Sequence, residues 1–64
     1  MAAEPSKGAT VTPTAPAPPG QLRPLGQVVG HATDPFTGER LVRVQWPGRV
    51  RPTAHDLTEV VELD

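Results

Sequence analysis

From Leu25 to Asp64 the apolar residues come only in short runs, and turn chemistry stops each one: LGQVVGHATD, DPFTGE, RLVRVQW, PGR, VRP and EVVEL. A helix needs an apolar stripe sustained over several turns, whereas a strand needs only a few alternating residues between Gly, Pro and Asp punctuation. The pattern therefore predicts an all-β domain of four to five short antiparallel strands. A domain this short rarely buries enough surface alone. A larger protein partner, or weak self-association, is expected to supplement its core.

Residues 1–24 read differently. Pro5, Pro13, Pro16, Pro18, Pro19 and Pro24 stand among small residues and threonines, with no apolar period to bury. The expectation is a disordered Pro-rich arm with polyproline II character around PAPPG, leaving residues 25–64 as the domain. Pro13, Pro16 and Pro19 have the spacing of a PxxP ligand, but no basic residue lies beside them. The front end lacks the charged-then-apolar plan of a leader, and no run approaches a membrane span, so a cytoplasmic protein with no membrane partner is expected. With no cysteine in the chain, neither a disulfide nor a thiolate zinc site can staple the fold. No metal or cofactor is expected.

Within the domain, Gly26–Thr33 reads as the first strand and DPFTG as its connection, with Pro35 at the start of a turn and Gly38 supplying a positive φ. Arg40–Trp46 is the clearest strand. Its alternation puts Val42, Val44 and Trp46 on one face and Leu41, Arg43 and Gln45 on the other. The turn at Pro47 and Gly48 decides the register. A two-residue loop would force arginines onto the apolar face, whereas a three-residue loop closed by a Gly bulge pairs Val44 with Val50. The second register is preferred. It places Arg43 opposite Arg51 and Gln45 opposite Arg49, and it predicts a core of Val42, Val44 and Val50 with either Val28 or Val29. Pro52 ends that third strand, residues 53–57 read as a one-turn helical connector, and Glu59–Leu63 reads as a last strand. The same tail also fits a helix capped by Asp56.

A hairpin at DPFTGE, a strand ending in VQW, a tight PG turn and a one-turn helix before a final strand resemble small SH3-like barrels of the Tudor, chromo-barrel and KOW type. The resemblance covers about residues 25–64 and is architectural. It implies a non-enzymatic binding module. Tudor readers of methylated side chains use a cage of several aromatics, and this chain has only Phe36 and Trp46, with no tyrosine.

Chemistry-bearing residues are few. The single serine, Ser6, lies in the arm, so there is no candidate for an activated Ser or Cys nucleophile and no catalytic residue is assigned. His31 and His55, near Asp34 and Asp56 in sequence, could bind a metal or move protons; the reading preferred is two surface histidines. Trp46 serves as a core residue or as a partly exposed anchor, and Phe36 stands exposed at a hairpin tip. Two functional classes follow. One is a protein-interaction adaptor or accessory subunit that docks on a larger partner through Arg43, Arg49 and Arg51, with Gln45, Trp46 and Phe36. The other is a nucleic-acid-binding accessory protein of transcription or translation. A net charge of −1 disfavours reliance on phosphate neutralisation. The acids Asp56, Glu59, Glu62 and Asp64 are placed to pair with the arginines.

Overall fold

The computed structural model describes residues 4–63. It holds five strands, β1 (Thr10–Pro13), β2 (Gly26–Thr33), β3 (Arg40–Gln45), β4 (Thr53–Asp56) and β5 (Val60–Glu62), in one sheet of order β4-β3-β2-β1-β5. All neighbours are antiparallel. The sheet is open, with β4 and β5 at its edges, so the expected barrel is not closed. Among the described residues no helix is long and apolar enough to cross a membrane.

The largest departure from expectation lies at the front. The segment read as a disordered arm supplies β1, which sits between β2 and β5: Val11 pairs with Gly26 on one side and with Glu62 on the other. Val11 is completely buried. A lone valine between two threonines has no sequence period, yet TVT is good strand chemistry once a partner edge exists. The residues around it are tied down as well. Gly8 N donates to Val28 O and Val28 N to Ala9 O, extending the pairing with β2. Thr12 is buried, and its hydroxyl donates to Pro24 O across 2.9 Å. Between them, Pro18–Gln21 closes a turn through Gln21 N to Pro18 O, with Pro19 and Gly20 at its centre and φ +82° at Gly20. That is the Pro-Gly signature of a type II turn, whose second central position requires positive φ.

Val28, rather than Val29, enters the core. A bulge between Val28 and Gly30 then changes the parity of β2, so that His31 pairs with Val42 and Gly30 with Arg43. The inserted residue is what moves His31 onto the core face. At the end of β2, Asp34 holds the connection: its Oδ1 accepts from Phe36 N at 2.8 Å and Thr37 N at 3.3 Å, and Gly38 takes φ +77°.

The β3–β4 hairpin corrects the predicted register. Val44 pairs with Thr53, Arg43 with Ala54 and Val42 with His55. Arg43 is therefore not opposite Arg51, and Gln45 is not opposite Arg49 in the ladder. Val50, assigned to the core, is 95% exposed. Residues 50–51 are a bend, not a third strand, and residues 53–56 are β4, not a one-turn helix. The reason is local. Pro47 and Gly48 (φ +77°) make a second Pro-Gly turn, Arg49 N to Trp46 O at 3.2 Å, and Gln45 Nε2 then donates to Arg49 O at 2.7 Å. This turn carries the chain past Val50 before pairing resumes. The core that results is Val11, Val28, Val42, Val44 and Val60, with Ala9, Trp46 and Leu57 packed against it.

Candidate functional site

Trp46 is where the fold and a recess in the surface meet. Leaving β3 on the same parity as Val42 and Val44, its ring lies over Gly26 and is half-buried. Its indole N–H points at two acceptors on β4, Thr53 Oγ1 and His55 Nε2, each at 3.0 Å. Those two side chains also contact each other, Thr53 Oγ1 to His55 Nε2 at 2.6 Å. The His55 ring meets the indole edge-on, with centroids 5.6 Å apart and planes at 88°. Behind it, His55 Nδ1 is 4.0 Å from Glu59 Oε1, which itself accepts from Asp56 N at 2.8 Å. The indole is thus held at its polar edge while part of its face stays exposed.

That ring forms one wall of an open cleft of about 280 Å³, lined also by Pro24, Pro47, Arg49 and Thr53. The lining comes from two connections, β1–β2 and β3–β4, both shaped by Pro-Gly turns, and from Thr53 at the start of β4. Two prolines and an aromatic ring give a stiff apolar surface that loses little conformational entropy on contact. Arg49 adds a cation at the rim. A positive charge there disfavours a cationic guest, and with one aromatic wall the cleft is not a methyl-ammonium cage.

The Thr53–His55–Glu59 order resembles a nucleophile, its base and the carboxylate that orients the base. Thr53 Oγ1 is already the acceptor for the indole N–H, and the imidazole–carboxylate gap of 4.0 Å exceeds hydrogen-bond reach. The cluster anchors Trp46.

Of the residues singled out in the sequence, the structure brings Trp46 and Arg49 together in the cleft, with Gln45 clamping the turn between them. It separates the others. Arg43 projects from the opposite face of β3, flanked by Gly30 and Ala54. Arg51 is exposed in the bend, and Phe36 is 94% exposed at the tip of the β2–β3 connection. Among the described residues none of Arg43, Arg49 and Arg51 has a carboxylate partner, because the ion pairs go elsewhere: Arg40 to Glu4 at 2.9 Å, and His55 near Glu59. Asp64, offered as a partner for the arginines, lies outside the described residues. Asp34 is spent on its turn, and no group of three or more metal-ligating side chains gathers among the described residues. His31 hydrogen-bonds Pro5 O through Nε2 at 2.6 Å.

Sequence reading missed Thr53 and His55 as a pair. Their T-x-H spacing puts both on one face of a strand, a signal hidden by assigning 53–57 to a helix. Compared with known proteins, the chain matches no family model, no curated protein and no solved structure.

Proposed function

We propose that the chain is a small, non-enzymatic, cytoplasmic interaction module of SH3-like type that docks on a larger protein through the Trp46 cleft. The all-antiparallel order β4-β3-β2-β1-β5 is compatible with the SH3-like reading, with β4 and β5 left as unjoined edges. The observation that carries the function is the state of Trp46: a half-exposed ring whose single N–H is shared between Thr53 Oγ1 and His55 Nε2, with, at its edge, an arginine that has no carboxylate partner among the described residues. Trp and Arg dominate binding hot spots because they combine large contact area with directional polarity, and a ring held before contact lowers the cost of binding. The partner this chemistry selects is an extended protein segment that lays an apolar side chain on the indole and a carboxylate against Arg49.

Capture from the native host tests the proposal, comparing the wild-type chain with Arg49→Glu, with and without nuclease. A protein retained after nuclease and lost with Arg49→Glu is the expected result. Loss on nuclease treatment would instead assign the arginines to nucleic acid, and equal retention by both chains would remove the cleft from consideration.

A further inference from the structure

An open sheet has two edge strands, and the hydrogen bonds of this one close the first edge and leave the second open. In an antiparallel ladder every second residue turns its N–H and C=O toward the neighbouring strand, and the residues between turn theirs away. On β4 the outward residues are Pro52, Ala54 and Asp56. Asp56 N donates to Glu59 Oε1 at 2.8 Å and Asp56 O accepts from Glu59 N at 2.9 Å, so both groups are already used. Pro52 has no N–H to offer. Ala54 alone is left with a free donor and acceptor, too little for another strand to add. On β5 the parity is set by Leu63 N donating to Thr10 O at 2.9 Å and Thr14 N to Glu59 O at 3.0 Å. Glu59, Val61 and Leu63 therefore face β1. Val60 and Glu62 turn their N–H and C=O outward, where no backbone group among the described residues meets them.

We infer that β5 pairs with the β5 of a second copy of this chain, antiparallel, about a two-fold axis at Val61. In this register Val60 of each copy exchanges both backbone bonds with Glu62 of the other. The two Val61 side chains meet at the site between those bonded pairs, where facing side chains stand closest. Val61 is 43% exposed and Leu63 40%, both on the face of β5 opposite to the buried Val60. Charge and hydrogen bonding select this register over its neighbours. Glu62 stands opposite Val60 and Glu59 opposite Leu63, so no described carboxylate opposes another. An axis at Glu62 would set the two Glu62 side chains against each other, and like charges in that position are unfavourable. An axis at Val60 would pair Glu62 with Thr58, whose C=O already accepts from Thr14 Oγ1 at 3.0 Å. A foreign strand would need a sequence matched to this edge; a second copy brings the match with it. The contact is one short strand on another, below the about 1,200 Å² of stable complexes, so the dimer is weak and concentration-dependent. Its two-fold symmetry stops the assembly at two copies. The pairing uses a different strand from the Trp46 cleft and does not rest on that reading.

The full chain is followed by sedimentation and by amide hydrogen exchange across the micromolar to millimolar range. The expected result is a mass that rises toward that of two copies, with exchange protection growing at the Val60 and Glu62 N–H groups and unchanged at Ala54. Val61→Lys sets like charges at the closest point of the pairing. It should return the chain to a monomer at every concentration while keeping the melting temperature measured in dilute solution. The chain has no cysteine, so Val61→Cys adds a single thiol at the axis, within the Cα separation that a disulfide spans. Mild oxidation should link two such chains, and Leu63→Cys, which faces Glu59, should link several-fold less. A wild-type chain that stays monomeric throughout, protection that grows at Ala54 instead, or equal linking from positions 61 and 63 overturns the pairing. Protection at Val60 and Glu62 that arises only when a captured protein is added also overturns it and gives the edge to a foreign strand. Should Val61→Lys fail to fold, wild-type exchange and the two cysteine variants decide. Arg49→Glu is expected to lose partner capture and keep the dimer, so the docking proposal and the strand pairing can each fail alone.

Discussion

Gly26 lies directly beneath Trp46. A Cβ built on Gly26 would stand 2.7 Å from Cε3 and 2.8 Å from Cζ3 of the indole, and in still closer conflict with Val44 Cγ1. The position is closed to any side chain by packing, not by backbone angle, because β2 needs a surface flat enough for the ring to rest on. Gly26→Ala is expected to cost about 1 to 3 kcal/mol through overpacking and to shift the Trp46 emission. Chemical denaturation followed by fluorescence checks both; unchanged stability would mean that the ring does not rest on β2.

Val11→Ala tests whether the front segment belongs to the fold. Val11 is buried between β2 and β5, so truncation should cost about 2 kcal/mol, within the range for deleting buried methyls. A chain beginning at Leu25 lacks β1 altogether and should show no cooperative thermal transition.

Val50→Asp is expected to change stability by less than about 0.5 kcal/mol, as exposed substitutions do. Val44→Ala, at a fully buried position in the same hairpin, should cost about 1 to 3 kcal/mol. Parallel thermal melts separate this register from the one in which Val50 faces Val44.

Glu4 carries a pH dependence of definite sign. The hydrogen bond from Arg40 holds its carboxyl below the ordinary value of 4.5, opposed by some desolvation and helped by the charges of Arg40 and His31. A carboxylate with a depressed folded-state pKa adds stability that is present above its unfolded value and is lost as pH falls through the folded one. The melting-temperature difference between wild type and Glu4→Gln should therefore be constant near neutrality and shrink in acid below the ordinary glutamate range. The pair is exposed, so the difference should also fall with salt.

The legible part of this fold was the part with a period. Arg40–Gln45 alternates cleanly, and Val42 and Val44 are buried as that alternation requires. Gly26–Thr33 was also readable as a strand, but its parity was not, because a bulge leaves no mark in residue types beyond an extra apolar position at Val29. The Pro-Gly pair at 47–48 announced a turn without saying how far the chain would travel before pairing again. Gln45, a polar residue on a polar face, settles that by binding the turn's own backbone. β1 was hidden for a different reason: proline density on both sides masks a strand that exists only because two others hold it. Of the cleft, Trp46 and Arg49 were visible by residue type; Thr53 and His55 acquire meaning only from the register of β4.

The pairing of β1 with β5 joins Val11 to Glu62, and this orders events during synthesis. While the final strand is still within the ribosome, β1 has one edge satisfied and the other open, and Val60 is absent from the core. A nascent chain can form the β2–β3 hairpin early, since its contacts are local, but the pairing that spans the sequence closes last. Until then the open edge of β1 is the surface on which a neighbouring nascent chain could add a strand. Completion of β5 therefore matters more to this chain than to one whose first strand is complete beside its second.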